Sequence, residues 1–266
     1  MTGRSAPGRP LAPDHAFVVM AHGDSPFLPG CLASLRAQTL ASRIVVSTST
    51  PSPYIERAAA AAPLIVNPER SGIAADWNFA LRISQARYVT LAHQDDVYFP
   101  TFLAASLDLL AMIPAAALSF TGYVEIGDDG SRVRSRTSLI KHRLEAITLG
   151  SAVAPGPARF RAFLSFGNPL PCSSVTFDRD RIGDFAFSDA FRSNLDWDAW
   201  LRLQSDGALF VRTAERLVGR RHNRLTATTA LTREGVRERE DATMFRRLWP
   251  RPVADLIALA YKAGYR

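Results

Sequence analysis

Residues 87–100 read RYVTLAHQDDVYFP, and the fold depends on how this stretch is divided. The run up to Ala92 is β-branched and apolar, the composition of a buried strand. It stops at His93, Gln94 and two adjacent carboxylates, Asp95 and Asp96, after which residues 97–110, VYFPTFLAASLDLL, resume as an apolar helix. Two like charges at the end of a core strand repel each other and lose solvation. They need compensation, from a bound cation or from the N-terminus of the helix near Pro100.

Upstream, strand and helix signals alternate. HAFVVMAH (15–22) is a strand; Asp24, Ser25 and Pro26 then start a helix whose apolar face is Phe27, Cys31, Leu32 and Leu35. SRIVVSTST (42–50) is a second strand followed by an alanine-rich helix, PLIVN (63–67) a third, and residues 74–84 a helix leading into the fourth. Short strands separated by helices imply right-handed crossovers and a doubly wound, mostly parallel sheet. Ligands of such sheets bind beyond the carboxyl ends of the strands. His22, the turn at 47–50 and the Gln94–Asp96 cluster all fall at that edge.

Downstream the pattern is less regular. AALSFTGYVEI (116–126) reads as a strand followed by a polar hairpin at GDDGSR, and PCSSVTFD (171–178) as another strand. NLDWDAWLRLQSDG (194–207) is a helix stopped by Gly207; residues 233–250 form a helix ended by Pro250, and 253–265 a last short one. With no repeat and no linker, the expectation is one domain over 14–230, preceded by a disordered Gly/Pro/Arg-rich tail (1–13) and followed by a helical appendage (231–266).

Composition narrows the function. The 266 residues are 47% hydrophobic, enough for a sizeable core. No apolar run approaches the roughly 20 residues that span a bilayer, and the first residues lack the apolar centre of a signal peptide, so a cytoplasmic location is expected. Cys31 and Cys172 form no CxxC pair, as in a reduced compartment. The net charge is +7, with Lys141 and Lys262 the only lysines. Excess positive charge suits phosphorylated ligands or an anionic membrane surface. The aromatics are not interleaved with arginine in a nucleic-acid motif, so no nucleic-acid partner is expected.

Five blocks in order resemble the inverting family-2 glycosyltransferases of the GT-A fold, over roughly residues 15–230. They are FVVMAHGDSPFLPGCLASLRAQT (17–39), NPERSGIAADWNFAL (67–81), LAHQDDVYFP (91–100), RIGDFAFSDAFRSNLDWDAWLRLQSDG (181–207) and RRHNRLTAT (220–228). The composite is similar to bacterial enzymes of cell-surface polysaccharide assembly. The resemblance implies a nucleotide-sugar donor bound by a half at about 14–125 and a saccharide or lipid-linked acceptor bound by a half at about 126–230. It also implies peripheral contact with an anionic membrane.

Ala21, His22, Ser47, Gly72, Asn78, Gln94 and Arg221 would then contact the donor. A diphosphate leaving group needs its developing charge stabilised, and a hard cation, Mg²⁺ or Mn²⁺, on carboxylate oxygens does this. Asp95 and Asp96 suit that role, with His222 a further ligand by resemblance. Displacement at the anomeric carbon also needs a base for the acceptor hydroxyl. On the family pattern this is Asp196, with Asp198 in support, although carboxylates at a helix N-terminus are favoured anyway. Trp197 and Trp200 could stack on sugars or sit in the core. This chain departs from the family at three points: His93 stands where an aspartate is usual, the turn after the second strand (STSTPS) carries no carboxylate, and His22 replaces a polar donor contact. A metal-dependent hydrolase or a non-catalytic nucleotide-sugar or polyanion-binding protein would be the alternatives.

Overall fold

The computed structural model describes residues 10–69, 72–221 and 231–262. Its sheet has the strand order β3-β2-β1-β4-β8-β6-β9-β5. The first four strands along this path are β3 (Leu64–Val66), β2 (Ala41–Thr48), β1 (Leu11–Ala21) and β4 (Tyr88–His93), all parallel. β1 alternates faces as a strand buried on both sides must. Phe17 and Val19 pack with α1 (Leu28–Arg36), α2 (Pro53–Ala59) and α4 (Phe102–Met112). Val18 packs the other way, against α3 (Ile73–Ile83), α6 (Pro157–Leu164) and α8 (Leu195–Ser205). The strand starts earlier than its hydrophobic run, because Leu11 already pairs with Ala41, so residues 11–13 belong to the sheet and not to a disordered tail.

Past β4 the sheet is mixed. β8 (Val175–Asp178) lies antiparallel between β4 and β6 (Ala116–Ile126), and β9 (Leu209–Arg221) runs parallel to β6. The sequence reading assigned no strand to β9, the longest in the sheet. Its two buried triplets, Phe210–Arg212 and Leu217–Gly219, are separated by a solvent-facing turn of chain at Ala214–Arg216, which breaks the alternation. The register shifts there, opposite Gly122, where a Cβ would come within 3.1 Å of the Glu215 carbonyl oxygen. A side chain there would force the bulged strand to move by a few tenths of an ångström.

Residues 97–101 also differ from the expected helix. Val97 and Tyr98 form β5, antiparallel to Val218 and Gly219, and the helix starts at Phe102. Buried Gln38 fixes this segment: its amide donates to the Tyr98 and Phe99 carbonyls and accepts the Leu103 N–H. β7 (Arg132–Val133) closes the expected hairpin on β6. α5 (Arg136–Thr148) and α6 had no counterpart in the sequence reading.

The last two helices, Val236–Leu248 and Arg251–Lys262, are not an appendage. Met244 and Phe245 are fully buried, Phe245 meets Trp197 edge-on, and the Trp249 indole N–H donates to the Ser165 carbonyl. They complete the core beneath α8. Among the described residues no helix is long and apolar enough to cross a membrane.

Candidate active site

A cleft of about 460 Å³ opens at the carboxyl edge of β1, β2 and β4. It is lined by Ala21, His22, Ser47, Ser49 and Thr50 from the ends of β1 and β2, by His93 to Asp96 from the end of β4 with Arg220 and Arg221 from β9, and by Arg192, Ser193, Leu195 and Asp196 at the start of α8. Gly72 and Asp76 close the far end. The structure therefore brings Ala21, His22, Ser47, Gly72, Gln94, Asp95, Asp96, Asp196 and Arg221 into one space. His222 lies outside the described residues. Asn78 lies elsewhere: its amide is clasped both ways to the Phe187 backbone, donating to the carbonyl at 2.9 Å and accepting the N–H at 2.7 Å. It ties α3 to the loop before α8 and does not line the cleft.

Several cleft residues are held by the scaffold. The Gln94 amide donates to the His22 carbonyl and accepts the His22 N–H, stapling the end of β4 to that of β1. Arg221 pins the turn of the acidic pair: its backbone N–H donates to Asp96 Oδ1 at 2.9 Å and its Nε to the Asp95 carbonyl at 2.9 Å. Its guanidinium also donates to the carbonyls of Gly127 and Asp128 and stacks 4.3 Å from the Phe27 ring centroid. The Ser25 hydroxyl donates to Asp95 Oδ1 at 2.8 Å.

Asp96 is buried, and burial raises its pKa against the opposing pull of the Arg221 N–H and the charges of Arg220 and Arg221. Its neighbour His93 stacks on Trp77, with ring centroids 5.2 Å apart, and keeps a buried Nε2 without a hydrogen-bond partner. Burial lowers the His93 pKa to about 4, so the imidazole is neutral. No cluster of three or more His, Cys, Asp or Glu side chains poised for a metal exists among the described residues. The donor chemistry nevertheless fits a hard cation: two adjacent carboxylates face a cleft that has room for phosphate and water, the set Mg²⁺ and Mn²⁺ prefer.

Across the cleft, Asp196 and Asp198 sit in the first turn of α8. Asp198 is buried and fully engaged, accepting from Arg202 at 2.8 Å and from Arg247 at 2.6 Å. Asp196 lines the cleft and accepts its neighbour Trp197's N–H at 2.9 Å; burial raises its pKa against the opposing pull of that N–H, the charges of Arg220 and Arg237 and the Asn168 side chain. Trp197 and Trp200 are core residues, fully buried, with their indole N–H groups on the Leu164 and Leu170 carbonyls.

Three residues, and Asp241 beside the first of them, were not marked as functional in the sequence. Glu240, from the Val236–Leu248 helix, accepts the backbone N–H groups of Arg192, Ser193 and Asn194, while neighbouring Asp241 takes the buried Asn194 amide at 2.7 Å. Together they hold the wall that carries Asp196. Lys141 on α5 is lowered to about 7 by burial, with Arg220 and Arg237 pushing the same way and Glu125 and Asp196 opposing. The third is Asp76. Adjacent acids in EREDAT were the available signal for Glu240; nothing in the local sequence marks Lys141 or Asp76.

The family model for glycosyl transferase family 2 matches residues 16–166, more than half of the chain. The chain belongs to this family. It is a glycosyltransferase, with the GT-A fold of its structural neighbours. S. aureus TarS 1–349, solved in complex with UDP-GlcNAc, superposes with a TM-score of 0.62 at 12% identity over 92% of this chain and 70% of that one. The mannosyltransferase PcManGT from Pyrobaculum calidifontis, solved with GDP-Man and Mn²⁺, gives 0.58 at 16% identity over 94% and 69%. Glucosyl-3-phosphoglycerate synthase from Mycobacterium tuberculosis, in complex with phosphoglyceric acid, gives 0.54 at 17% identity over 91% and 80%. No curated protein matches the sequence.

Proposed function

We propose that this glycosyltransferase moves a sugar from a nucleotide-sugar donor to a saccharide or lipid-linked acceptor with inversion, in cell-surface polysaccharide synthesis at the cytoplasmic face of the membrane. The observation that carries the reading is that one cleft is lined by acids from two different elements. Asp95 and Asp96 lie at the end of β4, and Asp196 lies in the first turn of α8. A donor diphosphate belongs at the end of β4, where positive charge and strand-end backbone converge. Asp95 and Asp96 would hold a divalent cation there, which supplies Lewis-acid neutralisation of the leaving diphosphate when bound. Arg220 adds fixed positive charge.

Asp196 then faces the sugar from the side away from the diphosphate. Its burial-raised pKa makes its carboxylate a better proton acceptor than a solvated aspartate. An acceptor hydroxyl presented by this carboxylate attacks the anomeric carbon opposite the leaving group, and the configuration inverts. The UDP-GlcNAc in TarS and the GDP-Man with Mn²⁺ in PcManGT support a donor of this class and a metal beside it.

A membrane-bound acceptor is supported by α5, whose polarity is reversed. Its outward residues Leu139, Ile140 and Ile147 are 53, 66 and 83% exposed, whereas Ser138 and Glu145 turn inward, Glu145 pairing with Arg212. Exposed Arg132, Arg134 and Arg143 flank the apolar positions, as expected of a surface that meets anionic lipid.

The deciding experiment is thermal stabilisation by nucleoside diphosphates and nucleotide sugars, each with and without Mn²⁺, followed by NMR of the product anomer. A metal-dependent shift with one nucleotide, lost in Asp95→Ala, is the expected result. Absence of any shift in a folded sample, or retention of the donor's anomeric configuration, would sink the corresponding part of the reading.

A further inference from the structure

The far end of the cleft, away from the Asp95–Asp96 wall, contains a single carboxylate, and it is held unusually firmly. Asp76 lies in the first turn of α3, and both of its oxygens are pinned. Ser49 Oγ, at the end of β2, donates to Oδ2 at 2.8 Å; Asn67 Nδ2, just past β3, donates to Oδ1 at 2.8 Å. Ser49 and Asn67 are themselves buried, and the Asn67 N–H is fixed to the Thr48 carbonyl at 2.7 Å. The carboxylate thus cannot rotate, yet each oxygen retains a second lone pair. The turn after β2, STSTPS, has no acid of its own; the carboxylate at this strand end arrives from a helix that follows β3.

Distance identifies what this end meets. β2, β1 and β4 are successive neighbours, so the β2 edge lies two strand spacings, roughly 10 Å, from the edge carrying Asp95. That is the reach of a nucleoside from its own diphosphate. Gly72 at the mouth has φ +106° and open space where a Cβ would stand, leaving the backbone accessible to a ligand. Ile73 and Trp77 provide apolar surface beside it. A fixed carboxylate accepts hydrogen bonds and donates none, so it favours a ligand edge with N–H groups and repels one with a ring-nitrogen lone pair.

We propose that Asp76 is the residue that selects the donor's base, favouring uracil, thymine or guanine, which carry a ring N–H on the pairing edge, over adenine and cytosine, which do not. The inference rests on the donor-pocket reading above and adds to it the base class and the residue that reads it. Ser49 and Asn67 act through Asp76 as positioning residues.

Calorimetric titration of the full chain with UDP, dTDP, GDP, CDP and ADP, in the presence of Mn²⁺, tests this without requiring the acceptor. At least one of UDP, dTDP and GDP should bind well ahead of CDP and ADP. Asp76→Asn should weaken the preferred nucleotide by roughly ten- to a hundredfold, as expected for loss of a hydrogen bond to a charged group, while CDP and ADP change little. Ser49→Ala, which keeps the carboxylate but removes one support, should show a smaller loss with the same selectivity. It serves as the readout if Asp76→Asn fails to fold. An equal loss for all five nucleotides in Asp76→Asn would assign Asp76 to the ribose and overturn the proposal, as would tightest wild-type binding of ADP or CDP. Failure of every nucleotide to bind folded wild-type protein would overturn the donor-pocket reading itself.

Discussion

The strand-end pair, Asp95 and Asp96, and the α8 pair, Asp196 and Asp198, of which Asp196 lines the cleft and Asp198 is buried, solve the same electrostatic problem in different ways. In the α8 pair the two acids differ: Asp198 is ion-paired at contact distance with Arg202 and Arg247, whereas Asp196 accepts its neighbour's N–H, feels Arg220 and Arg237 as nearby charges and has its pKa raised by burial. In the strand-end pair both carboxylates are tethered, Asp95 by the Ser25 hydroxyl and Asp96 by the Arg221 N–H, and the charges of Arg220 and Arg221 act on Asp96. A helix turn can satisfy one acid with cations and leave the next for proton transfer. Neighbouring aspartates in sequence are thus not equivalent in function, and the partners of each one distinguish the roles.

Breaking the strand-end pair should have the largest effect. Asp95→Ala is expected to abolish detectable sugar transfer, a loss on the order of a thousandfold or more, and to remove Mn²⁺-dependent donor binding. Its thermal midpoint should be close to that of the wild type, since Asp95 is only part-buried. Transfer assays and titration of donor with and without EDTA check both halves. Retained metal-dependent binding would remove Asp95 from the metal assignment.

The α8 pair should separate chemistry from stability. Asp196→Asn is expected to lower kcat by roughly a hundred- to ten-thousandfold with donor affinity nearly unchanged. In the wild type the acid limb of kcat should lie above the ordinary aspartate range, because burial raises the Asp196 pKa and only the ionised form accepts the proton. Activity is then complete above that raised pKa and falls as pH drops through it. Asp198→Asn should do the reverse, costing about 2 kcal/mol of stability from a broken buried network while kcat changes far less. If the two variants behaved alike, the division of labour in this pair would be wrong.

Glu240 sharpens the comparison from a distance. Its carboxylate accepts three consecutive N–H groups on the wall carrying Asp196, so Glu240→Ala should lower kcat about tenfold or more through misplacement of that wall. The donor affinity measured with Mn²⁺ should change little. A parallel loss at both sites would instead mark Glu240 as a general stability residue.

What could be read from the sequence follows the same contrast. β1 to β4 were legible because each is a short apolar run followed by a helix, and the topological rule for parallel sheets then placed His22, Ser47 and Asp95 at one edge. Asp96 and Asp196 were singled out by family-like blocks, and both line the cleft. β9 was not, since its central bulge interrupts the two-residue period, and β5 was hidden because Val97 and Tyr98 continue without a break into the apolar helix that follows. Asn78 illustrates the opposite error: a polar residue in a donor-facing block whose amide closes on the Phe187 backbone. Asp76 and Lys141 reach their positions only through packing of elements distant in sequence, so no local pattern could mark them, and for Glu240 the adjacent acids of EREDAT say nothing of the distant N–H groups it accepts.

The smallest expected effect concerns the sheet beneath both pairs. His15 is buried between Ser42 and Thr90, at 2.7 and 3.1 Å, and burial lowers its pKa to about 3; His93 is lowered to about 4. Both are neutral in the folded chain, whereas an unfolded histidine protonates near pH 6.5. The unfolded state therefore gains protons first, and the stability these residues lend is complete above about pH 6.5 and lost as pH falls toward 4 and then 3. Asp96 and Asp196 act oppositely: their raised pKa values let the folded state take up protons before the unfolded one, adding stability as pH falls through them. The net slope of the thermal midpoint between pH 6.5 and 4 is thus a difference of two terms. His15→Asn should flatten the loss by removing one histidine, whereas Asp196→Asn should steepen it by removing the opposing carboxylate. Equal slopes in the two variants would show that the titration of the cleft and that of the sheet do not oppose each other as the burial of these four groups requires.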